Sequence, residues 1–215
     1  MLDYDGRYSN TFIMHDSATD PRQRLVLAAA DMLRQRGLNA TSVREVAKLA
    51  QAPLGSTYHY FPAGKPQLIS EAVQLSGAQI EHYLARTLAA GPRPGLQAFL
   101  ALWRQLLQEK AFRAGCPVMA VAADDSAGDE DALPLAAAAA AINGWQAQLA
   151  GSLQQAGLDA SRAGQLALMM IATIEGAILL CRAQRSLAPL DAVASELLAL
   201  LDSTLATATG NTAPR

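Results

Sequence analysis

Apolar residues recur at helical spacing along almost the whole chain. From Pro21 to Arg36, Leu25, Ala28, Ala29, Met32 and Leu33 fall on one face of a helix. Asp20 suits the N-cap, Pro21 the first helical position and Gly37 the stop. A second, shorter helix follows at once. Ser42 and Glu45 have capping-box spacing, and Val43, Val46, Ala47 and Ala50 supply its buried side. After "AQAP", a segment of about two turns runs from Leu54 to Phe61, and Pro62 and Gly64 break the chain behind it. Lys65 then opens a long amphipathic segment reaching about Leu88.

The remainder keeps the helical period. "GPRPG" at 91–95 interrupts it, and Leu96, Phe99, Leu100, Trp103, Leu106 and Leu107 form the stripe of a helix ending near Lys110. A short helix is predicted from Pro117, an exposed acidic loop over 124–131, and a helix from about Leu133 to Gln155. Closing helices are predicted at about 160–184 and 190–207. The first of these is apolar nearly all round, with Leu166, Met169, Met170, Ile174, Ile178 and Cys181 on more than one face. The fold class is therefore all-α: a three-helix N-terminal unit followed by a larger helical body. The expected divisions are an arm over 1–19, a head over 20–66, a body over 67–208 and a tail over 209–215.

Composition agrees with this picture. Hydrophobic residues make up 51% of the 215 and aromatics 5%, and Ala and Leu, both strong helix formers, dominate. The net charge of −2 hides an asymmetry. Residues 20–65 carry seven basic side chains against three acidic ones, whereas 66–215 carry nine against thirteen. A basic head on an acidic body points to a polyanionic partner for the head. Two cysteines, Cys116 and Cys181, provide neither a disulfide framework nor metal-ligand spacing, and reduced thiols in a cytoplasmic protein are expected. The N-terminal residues lack the apolar run of a signal peptide. The most apolar stretch, Leu166 to Cys181, is short for a bilayer and carries Glu175, so a buried helix and no membrane partner are expected.

The stretch "TSVREVAKLAQAPLGSTYHYFPAGK", Thr41 to Lys65, carries the functional signal. Two short helices joined by a tight turn fit a helix-turn-helix, whose second helix enters the major groove of DNA. Leu54 and Tyr58 lie one turn apart on one face, Thr57 and Phe61 on the opposite, inward one. Tyr58, His59 and Tyr60 are then divided between phosphate grip and packing. Gly55 lets backbone approach a duplex closely, and Lys65 can share a phosphate with the first amides of the next helix.

This stretch resembles the DNA-binding head of the TetR family of one-component transcriptional regulators. The resemblance rests on Ser42, Arg44, Val46, Ala47, Gly55, Ser56, Tyr58, Tyr60, Phe61 and Lys65, and on the opening helix "RQRLVLAAADMLRQRG". "APLGSTYHYFPAGK", with its additional Gly64, and "GCPVMAVAAD" further resemble the LmrA/YxaF-like branch. The resemblance implies a homodimer that binds a palindromic double-stranded DNA operator, represses transcription and needs no cofactor. DNA contacts are expected from Thr41, Ser42, Arg44, Pro53, Leu54, Gly55, Ser56, Tyr58, His59, Tyr60 and Lys65. The last two helices would pair with their copies. A small, largely apolar or aromatic effector would bind in the body, near Phe99, Trp103, Met119, Trp145, Met169, Met170 and Glu175, with Arg182 and Arg185 as alternative partners for Glu175. Two residues depart from the pattern. Gln51 stands where relatives place glycine, and Leu54 where they often place Lys or Arg, so Leu54 would meet a thymine methyl instead.

No GxSxG, P-loop, HExxH or paired CxxC motif supports an enzyme. The competing reading is a helical interaction protein of the same fold that has lost DNA binding or responds to redox through Cys116.

Overall fold

The computed structural model describes residues 20–124 and 132–210; the predicted arm over 1–19 and most of the acidic loop lie outside them. Among the described residues there are nine helices and no strand: α1 Pro21–Arg36, α2 Val43–Leu49, α3 Leu54–Tyr60, α4 Lys65–Leu88, α5 Pro92–Glu109, α6 Pro117–Ala122, α7 Ala132–Gln155, α8 Ala160–Gln184 and α9 Ala188–Gly210. Thr209 and Gly210 thus extend α9 rather than begin a tail, and 211–215 lie outside the described residues.

Local chemistry sets these boundaries. Gly37, at φ +81°, ends α1, its amide donating to the Leu33 carbonyl. Asp20 occupies the N-cap of α1, yet its side chain makes no cap bond. Ser42 caps α2 by accepting from the Glu45 amide at 3.2 Å. The Glu45 carboxylate turns to Arg36 at 3.5 Å, so an interhelical pair replaces the return half of the expected capping box.

The three head helices close over Leu25, Leu33, Val46, Thr57 and Phe61, all at 1% exposure or less. Arg22 bonds Glu71 of α4 at 2.7 Å and stacks over the Phe61 ring at 5.1 Å. Arg24 Nε donates to the Ala50 carbonyl at 3.2 Å, tying α1 to the end of α2. α4 then leaves the head and becomes the spine of the body. It packs on α1, α5, α6 and most extensively on α7. Gly77 permits the closest approach: a Cβ there would stand 2.6 Å from that of Ala141, and Trp145 Nε1 donates to its carbonyl at 3.1 Å. Because α4 belongs to both packing units, the expected 66/67 division falls inside its first turn.

Gln51, in the turn between α2 and α3, adopts φ +51°. An L-residue pays about 1–2 kcal/mol for that left-handed backbone, against about 0.4–1 kcal/mol of extra unfolded-state entropy for glycine. Gln51→Gly is therefore expected to stabilise the fold by about 0.5–1 kcal/mol, read as a higher denaturation midpoint; a lower midpoint would contradict the reading.

Candidate nucleic-acid interface

The exposed side of α2 and α3 is built from polar and apolar groups that the protein itself does not need. Thr57 and Phe61 point inward, as helical rotation requires, and leave Leu54 and Tyr58 outside at 39% and 56% exposure. His59 is exposed too and meets Tyr60 edge-on at 5.5 Å, while Tyr60 is half-buried against the core. Ser42, Arg44, Pro53 and Gly55 are exposed, and Ser56 is partly so. A Cβ on Gly55 would meet nothing within 4 Å, so internal packing places no demand on glycine there.

Two expected members of the surface lie elsewhere. Thr41 is 1% exposed, and its hydroxyl donates to the Gly37 carbonyl at 2.7 Å, closing the α1–α2 loop. Lys65 is half-buried and its ammonium donates to the Leu38 carbonyl at 3.2 Å, bracing the start of α4 against that same loop. Its position in the chain identifies a helix start; it could not reveal a carbonyl 27 residues away.

The basic excess of the head is mostly consumed internally. Arg22, Arg24 and Arg36 hold Glu71, the Ala50 carbonyl and Glu45, and Arg34 is buried. Arg44 and Lys48, both on α2, remain exposed and form no salt bridge among the described residues. Lys48 was missed by motif reasoning, although its exposure one turn from Arg44 marks it as part of the same positive edge. The head therefore presents a compact surface of two cations, phenol, imidazole, hydroxyls and bare backbone.

Two family models match the chain. "Bacterial regulatory proteins, tetR family" covers residues 25–72, the head together with the first turns of α4. "Transcriptional regulator LmrA/YxaF-like, C-terminal domain" covers 92–196. An uncharacterized HTH-type transcriptional regulator of Mycobacterium tuberculosis (strain H37Rv) is 41% identical over 186 residues, covering 84% of this chain and 94% of that protein. The chain belongs to the TetR family. The HTH-type transcriptional regulator LmrA of Bacillus subtilis is 33% identical over 174 residues, 80% of this chain and 91% of that one. The regulatory protein TetR from Rhodobacter sphaeroides shares the fold at a TM-score of 0.74 and 24% identity, over 83% of this chain and 97% of its own. This TetR-family chain is thus a helix-turn-helix transcriptional regulator of the LmrA/YxaF-like branch.

The body of this TetR-family regulator holds a small cavity between α1, α4, α5, α6 and α7. It encloses about 20 Å3, room for one water, and is walled by Arg34, Gln79, Trp103, Cys116, Val118 and Trp145. Phe99 packs edge-on against Trp103 at 6.4 Å, and Trp103 Nε1 is buried with no hydrogen-bond partner among the described residues. Met170 is buried and Met119 half-buried, and neither lines the cavity. Met169 is excluded from this site: it is 38% exposed on another face of α8 and lines an open groove of about 490 Å3 against α9. Helical rotation explains the separation, since successive residues lie 100° apart.

Glu175 is 5% exposed, and its partner is Cys116 rather than an arginine. Arg182 lies over Gly115 and Arg185 donates to the Ala111 carbonyl at 2.9 Å. Burial pushes the Glu175 carboxyl up from its ordinary 4.5 to about 7, the Cys116 hydrogen bond opposing the rise. Burial, reinforced by the nearby Glu175 charge, holds the Cys116 thiol well above the ordinary range. Cys116 is therefore kept as a thiol, a poor environment for a redox sensor.

Proposed function

We propose that the chain acts as a homodimeric repressor that reads a palindromic operator through α3 and releases it when a small, largely apolar or aromatic effector enters the body. The observation that carries the DNA contact is the outer face of α2 and α3: Gly55 standing in open space beside exposed Leu54, Tyr58 and His59, with Arg44 and Lys48 exposed at its edge. Bare backbone and short side chains admit close groove approach, phenol and imidazole donate to phosphates, and the cations release counterions.

The dimer is supported by α8 and α9. Leu168, Leu179 and Leu180 are 50–58% exposed on α8, and Met169 and Val193 line a largely apolar groove between α8 and α9. An exposed apolar face of this kind on a buried helix fits a partner copy. The effector site is supported by the indole-lined cavity, whose present volume requires the surrounding helices to part on binding.

Titration of a duplex at several salt concentrations tests the proposal. Arg44→Ala and Lys48→Ala are each expected to reduce the slope of log affinity against log salt by about 1, with similar losses on all sequences. Leu54→Ala is expected to change which sequence is preferred. Salt slopes identical to wild type for both basic variants would remove α2 from the phosphate contact.

A further inference from the structure

The loop between α5 and α6 joins the head to α8, and its backbone is held in an unusual state. Ala111 and Phe112 have consecutive positive φ values of +48° and +59°. Neither is glycine, and each such residue is sustained only where its surroundings fix it. Those surroundings come from two distant helices. On one side, the Gly115 amide donates to the Arg34 carbonyl near the end of α1 at 2.9 Å. On the other side, α8 and the residue that caps its end supply three clasps. Glu175 bonds the Cys116 thiol, Arg182 lies across the Gly115 backbone, and Arg185 donates to the Ala111 carbonyl at 2.9 Å. Glycine at 115 is what admits the guanidinium, since a Cβ there would stand 2.8 Å from Arg182 Nη1.

We propose that this Ala111–Cys116 loop is a latch that fixes the angle of the DNA-binding head to α8, and that a ligand entering the Trp103–Trp145 cavity opens it. Arg34 and Cys116 belong to the latch and also line that cavity. A cavity with room for one water admits a larger molecule only by moving its walls, and the movable wall is the end of the loop at Cys116 together with the first turn of α6 at Val118. Displacement of that wall draws Gly115 away from Arg34 and separates α1 from α8. The proposal rests on the DNA-binding regulator reading and supplies its route of control: the signal passes through α1 directly, in parallel with α4.

The test uses the full chain and an operator duplex selected by the wild-type protein. Arg182→Ala/Arg185→Ala removes two clasps at positions outside the buried core, and Gly115→Ala displaces the Arg182 side chain from its Cδ outward. In both variants, exchange of the Gly115 amide with solvent is expected to rise at least about tenfold, and operator affinity to fall about tenfold, the scale of an ordinary coupling between sites. Dimer dissociation should be unchanged. Variants with a freely exchanging Gly115 amide and wild-type operator affinity would overturn the latch. A wild-type protein that selects and binds no duplex would instead overturn the DNA-binding reading on which the latch rests.

Discussion

Phe61→Ala is expected to destabilise the fold by about 3–5 kcal/mol, the usual cost of removing a fully buried aromatic ring. Phe61 is completely buried and sits where three elements meet. Its amide donates to the Thr57 carbonyl of α3, its carbonyl accepts from Gly64 before α4, and Arg22 of α1 lies over its ring. Loss of the ring leaves the last turn of α3 without an anchor and Arg22 without its stacking surface. Urea denaturation of the variant against wild type measures the cost. The neighbouring Tyr58→Ala provides the contrast: with more than half of Tyr58 exposed, its stability should stay within about 0.5 kcal/mol of wild type, while its DNA affinity falls. A Phe61→Ala variant as stable as wild type would show that the head is not held together through this residue.

Glu175→Gln is the second large effect, and it depends on pH. The folded-state carboxyl titrates near 7, above its ordinary 4.5, so between those values the native state holds a proton that the unfolded chain has released. The stabilising contribution is full below about pH 4.5 and is lost as pH rises through about 7, by about 3 kcal/mol in total. Glutamine keeps the shape and cannot ionise. The variant should therefore match wild type near pH 5 and exceed it at pH 8 by about 6–12 °C in Tm, for a chain of this size. Parallel Tm curves from pH 5 to 8 would mean that Glu175 is charged and compensated in the native protein.

The helices were legible because most of them carry apolar residues at helical spacing and most carry a stop or cap in the sequence. The inward turn of Thr57 and Phe61, and the outward turn of Leu54 and Tyr58, follow from spacing alone. What spacing could not convey was pairing across the fold. Arg22 and Arg24 add to the charge of the head in the sequence, yet Glu71 and the Ala50 carbonyl take them up. Lys65 resembles a phosphate ligand by position, and Leu38 claims its ammonium. Glu175 meets a thiol contributed by another helix start 59 positions away, a contact that neither helical period nor charge pattern encodes. Met169 is exposed and Met170 buried although they are adjacent in sequence, and a helix that is apolar all round gives no sign of which side its own core occupies.

Selection of bound sequences from a random duplex pool at low salt tests the central claim most directly. An inverted repeat whose half-sites are centred about one helical turn of DNA apart, or a multiple of it, is the predicted result, since two copies of α3 must enter successive major grooves on one side of the duplex. A pool that returns without enrichment, or enriched in single unpaired sites, would contradict it.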